Sequence, residues 1–260
     1  MSVVGEDRRS RWTELAAVDN VRDLGGLPVE GGGSTRFGVA FRASTPQQAT
    51  TDDVALLVDG LGIRTLLDLR LPDEAAREGH GLLGEAGLSV VNLPVRKGDS
   101  TVRDVVMPDT RKTDLGLLYE QLLAGSAASI VTAARNVADP ARHGVVFHCA
   151  AGKDRTGVLA AVLLDAVGVT AEAIVEDYAL TAEREHRVRE RLIRIPAYSD
   201  LPPVAEGVMG VKAAAIRRFV ETLRATHGGA AEFLLRHGLA EDELAALRDA
   251  LVTPPTSAAD

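Results

Sequence analysis

The stretch Val145-Val146-Phe147-His148-Cys149-Ala150-Ala151-Gly152-Lys153-Asp154-Arg155-Thr156-Gly157 constrains the fold of this chain more than any other. It opens with three apolar residues that do not alternate, which predicts a strand buried on both faces. Two small residues and a glycine follow and predict a tight loop. The run from Val158 to Leu164 has no polar face before Asp165, so it predicts a buried helix. Strand, short loop and helix in that order are the unit of an α/β sheet.

A loop at that junction aims backbone N–H groups and the positive end of a helix at one point. Arg155, six residues after Cys149, can return over the loop with a planar pair of donors. The result is a cradle for a tetrahedral dianion, with Ala150, Ala151, Gly152, Lys153, Arg155 and Thr156 as its phosphate-binding residues and the Cys149 sulfur at its floor. The same donors stabilise a thiolate, and a thiolate facing a bound phosphate is a nucleophile with its target in place. A lone cysteine is more often a small buried hydrophobe. The complete string in its strand–loop–helix context outweighs that reading.

The string His148-Cys149-x-x-Gly152-Lys153-x-Arg155-Thr156-Gly157 resembles the signature loop of cysteine-dependent phosphatases. With Lys153 and Asp154 inside it, it is most similar to the bacterial tyrosine phosphatases that also act on phosphoinositides. Three further stretches resemble the same family: Asn20-Val21-Arg22-Asp23-Leu24-Gly25-Gly26, Phe41-Arg42-Ala43-Ser44, and Asp68-Leu69-Arg70 followed by Glu74. Read without the resemblance, the first of these is a surface turn. The resemblance implies a protein-tyrosine-phosphatase-like fold and a metal-independent hydrolase with Cys149 as nucleophile, Arg155 on the phosphate and Asp154 as the acid. It also implies a helical lid near 180–215.

Strands alternating with helices predict an α/β fold with a mostly parallel central sheet flanked by helices. Strands are expected at Phe37–Arg42, Ile63–Leu69 and Leu88–Val95, and a helix opening at Thr51 with that threonine as cap. Helices are expected near 114–123, 129–137, 170–180, 211–226, 230–237 and 241–251. At 260 residues, one phosphatase domain over 12–253 with the lid inserted is expected, flanked by flexible tails at 1–11 and 254–260. The charged run from Thr181 to Ile195 reads as a solvated helix face laced with pairs one turn apart.

A net charge of −8 argues against nucleic-acid binding. One cysteine excludes an internal disulfide and any multi-cysteine metal site, and no histidine pair has metal-ligand spacing, so neither metal nor cofactor is expected. There is no run long enough for a transmembrane helix and no readable signal peptide, which suggests a cytoplasmic monomer. His80, His143, His186, His227 and His237 read as surface or capping residues, and His148 as a buried ring that holds the loop.

The expected function is phosphomonoester hydrolysis through a phosphocysteine, on phosphotyrosine proteins and on phosphoserine/threonine or phosphoinositide substrates. A phosphate-binding module without turnover and a rhodanese-like sulfurtransferase are the alternatives. The chain has no Trp-Pro-Asp loop, and its single tryptophan is Trp12. The proton donor therefore stays open among Asp154, Asp68 at the end of a neighbouring strand, and an acid of the 99–114 loop such as Asp99 or Asp109.

Overall fold

A computed structural model describes residues 11–98, 114–201, 203–204 and 210–255. Its strands are β1 (Arg22–Asp23), β2 (Ser34–Thr35), β3 (Ala40–Ala43), β4 (Thr65–Asp68), β5 (Ser89–Asn92), β6 (Val145–His148) and β7 (Val252–Thr253). Five of them form one sheet in the order β1-β3-β6-β4-β5. The pairs β3–β6, β6–β4 and β4–β5 are parallel, and β1 is antiparallel to β3. This is the mostly parallel sheet that the alternation of elements predicts.

The predicted central strand sits in the middle, and its residues point alternately to two cores. Val145 and Phe147 face a large core that includes Leu67 and the helix after the loop. Val146 faces a smaller core with Phe41, Leu57, Ile63 and Leu66. The helices are α1 (Thr51–Ala55), α2 (Pro72–Glu78), α3 (Leu115–Ala124), α4 (Ala127–Ala138), α5 (Asp154–Ala166), α6 (Ala171–Ala179), α7 (Glu185–Leu192), α8 (Ala213–His227), α9 (Ala230–Arg236) and α10 (Glu241–Leu251). Val158 to Leu164 in α5 are all buried, as their unbroken apolar run requires.

The registers bring the C-terminal ends of β3, β6 and β4 level, with Ala43 and Asp68 on either side of His148. In open parallel sheets this edge is where ligands bind.

Several local expectations are corrected. The cap of α1 is Thr50, not Thr51: the Thr50 hydroxyl accepts from the Asp53 amide, and Asp53 accepts back from the Thr50 amide. The Asp53 carboxylate also takes the amides of Ala16 and Ala17, which ties the N-terminal segment to this helix. Arg11, expected in a free tail, donates to Asp177 at 2.8 Å. The charged run is a solvated face only in part: Glu183, His186, Glu190 and Arg194 are exposed, but its other arginines find partners outside the helix. Arg184 and Arg187 pair with Glu14, Arg187 and Arg191 pair with Asp19, and Arg184 lies 4.7 Å over the Trp12 ring. These contacts fasten α7 to residues 12–19 far away in sequence. Val188 and Leu192 on its inner side, with Ile195, Tyr198 and Leu201 in the segment that follows, pack with Ala150 of the loop. No single helix among the described residues is long and apolar enough to cross a membrane.

Candidate active site

The loop from Cys149 to Lys153 is shaped by what holds its carbonyls. Ala150 O accepts the Thr45 amide at 2.9 Å, and Ala151 O accepts Asn20 Nδ2 at 3.2 Å. Gly152 O accepts Asn20 Nδ2 at 3.0 Å and Arg42 Nη2 at 2.9 Å. With its carbonyls tied outward, the loop turns its N–H groups to the other side, where the first amides of α5 also lack intrahelical partners. Gly152 sits at φ +68°, and a Cβ there would lie 2.3 Å from Ala43 O, so only glycine fits.

The stretch around Asn20, read from residues alone as a surface turn, is thus a buried brace. Arg22 donates to Asp177 and Thr181, and Arg42 donates to Asp177 at 2.7 Å while holding Gly152. Asp177 faces three guanidiniums: Arg11, Arg22 and Arg42. Burial opposes its charge, but these arginines hold its carboxyl well below the usual range. Burial and the neighbouring Arg42 push Arg22 down to about 9.

Cys149 is buried at the loop's start, and Arg155 is buried on the first turn of α5. Glu74 grips Arg155 with both oxygens, Nη1 to Oε2 at 2.8 Å and Nη2 to Oε1 at 3.1 Å. Burial works against both charges. The Glu74 carboxylate and the Cys149 sulfur nonetheless raise Arg155, and Arg155 in turn lowers Glu74. Glu74 also takes the Leu71 amide, capping α2, and the Tyr198 hydroxyl. One acid therefore orients the arginine, ends a loop and fastens the segment after α7.

Asp154 opens α5 with its side chain 20% exposed, the one loop acid that reaches the surface. Its Oδ1 accepts the Tyr119 hydroxyl at 2.6 Å, and its Oδ2 lies 3.6 Å from Lys153 Nζ. Lys153 is buried rather than standing at an open rim, and its ammonium donates to Gly210 O at 3.1 Å. Thr156 does not cap the helix. It lies two residues inside α5, and its buried hydroxyl has no hydrogen-bond partner among the described residues.

Asp68 does not fit the acid role given to it as an alternative to Asp154. It is fully buried and receives both Arg70 Nε and Nη2, the Arg70 amide and a 2.9 Å contact from His80 Nε2. Burial alone would raise it, but His148, His80 and Arg70 hold it well below the usual carboxylate range. It has no proton to give at neutral pH. His80 is accordingly a partner of Asp68, not a surface residue. Asp68, His80 and His148 bring potential ligand atoms within 4.8 Å of one another, which linear spacing does not reveal. Asp68 is already saturated by Arg70, so this cluster reads as a hydrogen-bonded support. His148 donates through Nδ1 to Cys149 O at 3.0 Å, and burial pushes its ring down to about 4, so it is neutral at working pH. Asp99 and Asp109 lie outside the described residues.

The chain has three tyrosines, and each turns its hydroxyl to this site: Tyr119 to Asp154, Tyr178 to Tyr119, Tyr198 to Glu74. Sequence reasoning missed all three, and Asp177 too. Asp177 had a readable signal, an acid between the buried Ile174 and Tyr178 on the apolar face of α6.

A mostly parallel sheet carrying a Cys–Arg loop at its C-terminal edge defines a protein-tyrosine-phosphatase-like domain. The chain belongs to the tyrosine phosphatase family, whose family model matches residues 13–253. It is similar to a tyrosine-protein-phosphatase homologue of Cupriavidus necator, 30% identical over 84% of this chain and 80% of the relative. It is also similar to the triple specificity protein phosphatase PtpB of Mycobacterium tuberculosis, 28% identical over 92% of this chain and 98% of the relative. Among solved structures, the core catalytic domain of the PP-IP phosphatase SIW14 from S. cerevisiae matches with a TM-score of 0.37 at 16% identity, covering 75% of this chain and 94% of that one.

Proposed function

We propose that this chain hydrolyses phosphomonoesters through a phosphocysteine at Cys149, acting on phosphotyrosine proteins and on phosphoinositides. The observation that carries the reading is the pairing of a loop whose carbonyls are all tied outward with an arginine pinned by Glu74. Amides and guanidinium then converge on one tetrahedral group above the sulfur, a preorganised arrangement that favours an anionic transition state.

The chemistry follows in two steps. The Cys149 thiolate attacks phosphorus; the S–P bond forms, the P–O bond breaks, and Asp154 gives its proton to the leaving oxygen. Water then attacks the phosphocysteine, Asp154 takes its proton, and inorganic phosphate leaves with the thiolate restored. Lys153 is buried, so the second cation it adds beside Asp154 acts through its field, which favours substrates with further phosphates. The name of the mycobacterial relative, a triple specificity phosphatase, supports a broad substrate range. A sulfurtransferase has no use for a proton donor at the loop's mouth, and a binding module has none either.

Phosphate release from p-nitrophenyl phosphate and from an alkyl phosphate tests this. Cys149→Ser should release none from either while still binding phosphate. Asp154→Asn should lose about a hundredfold or more on the alkyl ester and little on the activated aryl ester. Equal losses on both esters would make Asp154 structural.

A further inference from the structure

Behind Asp154 lies a buried pair of phenols for which the two-step reaction has so far given no role. Tyr119 projects from α3, which packs on α5, and Tyr178 from α6. The Tyr119 hydroxyl lies 2.6 Å from Asp154 Oδ1 and 2.6 Å from the Tyr178 hydroxyl. Each phenol has one proton to place. An ionised Asp154 only accepts, so the Tyr119 proton goes to it, and the Tyr119 oxygen accepts from Tyr178. The backbone of Lys212 lies close enough to the Tyr178 hydroxyl to act on it electrostatically. The donors run one way: Tyr178, Tyr119, Asp154.

Both phenols keep their protons. Burial, reinforced by the Asp154 charge, pushes Tyr119 and Tyr178 above their ordinary values. Packing fixes the pair as well: the two rings meet edge to face at 6.1 Å, and Phe219 meets Tyr119 the same way at 6.2 Å.

We infer that Tyr119 and Tyr178 are positioning residues for the acid step: they hold Asp154 toward the leaving oxygen and stabilise the charge it gains as its proton departs. This rests on the reading of Asp154 as the acid. A hydrogen bond to a carboxylate is stronger than one to the neutral acid. The Tyr119 contact therefore strengthens as the proton leaves and favours the transition state over the ground state. Among the described residues, the other charged group facing Asp154 is Lys153, at 3.6 Å. Its ammonium is held by Gly210 O, two residues before Lys212. Gly210 thus touches one charged side chain of the loop directly, while the two tyrosines hold the other.

The test is a series of aryl and alkyl phosphates of rising leaving-group pKa, with kcat/KM measured for the full chain and for Tyr119→Phe, Tyr178→Phe and Asp154→Asn. Phenylalanine keeps both rings in place. Tyr119→Phe should steepen the dependence on leaving-group pKa, losing about ten- to a hundredfold on alkyl esters and less than about threefold on the most activated aryl ester. Tyr178→Phe should shift it in the same direction by less. The loss should fall on kcat rather than KM. If Asp154→Asn steepens the dependence and Tyr119→Phe lowers every ester alike, the tyrosines are structural and this inference alone fails. If Asp154→Asn leaves the dependence unchanged, the acid assignment fails and takes the inference with it.

Discussion

His148 shows how much a single buried ring does when its polar atoms are assigned. It stands next to Cys149, fully buried, and it is kept neutral: burial pushes its pKa down to about 4 from an ordinary 6.5. In the unfolded chain the same ring takes up a proton as pH falls through 6.5. Between those two values the unfolded state binds more protons than the folded one, so stability falls as pH falls. The effect is complete near pH 4 and amounts to about 3 kcal/mol. His148→Asn keeps a donor for Cys149 O and removes the titration. Urea midpoints measured from pH 7 to pH 4.5 should fall markedly in the original chain and more shallowly in the variant. Parallel curves would show that His148 is not a source of acid lability.

At the scale of elements, the loop depends on pieces that contribute nothing to the chemistry. The N-terminal brace, β3 and α6 meet at Asp177, where one carboxylate answers Arg11, Arg22 and Arg42. Arg42 and Asn20 then hold Gly152 O. Asp177→Asn leaves buried guanidiniums without their counter-charge, a change that costs roughly 3–5 kcal/mol. Thermal unfolding should fall by about 10 °C, with phosphatase activity lost in step because Arg42 no longer fixes the loop. Glu14→Gln, which removes an exposed partner of Arg184 and Arg187, should cost under about 1 kcal/mol. Similar losses in both variants would mean that the Asp177 cluster is no more than surface charge.

These cases also show what could be read from residues alone. The central strand, the loop and α5 were legible because their pattern is local: an apolar run, a glycine and an unbroken helical core. Gly152 was legible as a turn, though not the Ala43 carbonyl that forbids a side chain there. The partners of α7 were not legible. Arg184, Arg187 and Arg191 recur at helical spacing, and that spacing looks the same whether the answering acids lie one turn away or at Glu14 and Asp19. The tyrosines were missed for a similar reason. A tyrosine on an apolar helix face looks like core until the hydroxyl's partner is known, and for Tyr119 that partner is 35 positions further on. Asp68 was misread because strand position places it at the functional edge, while only the packed structure shows that its oxygens are taken by Arg70 and His80.

Across the whole molecule, the sheet sets β6 between two strands so that Cys149 leaves its centre, and the cores on both faces keep that edge rigid. From the other side, α7 and Tyr198 close over Ala150 and Glu74. The proposed reaction turns on one covalent step at one sulfur, and that step can be observed. The decisive measurement is a rapid-quench experiment with an activated aryl phosphate, followed by mass spectrometry of the Cys149 peptide. The account predicts one phosphoryl group on Cys149 during turnover, more of it in Asp154→Asn, where water has lost its base, and none in Cys149→Ser. Turnover without a phosphorylated Cys149, or phosphate release by Cys149→Ser at the rate of the original chain, would contradict it.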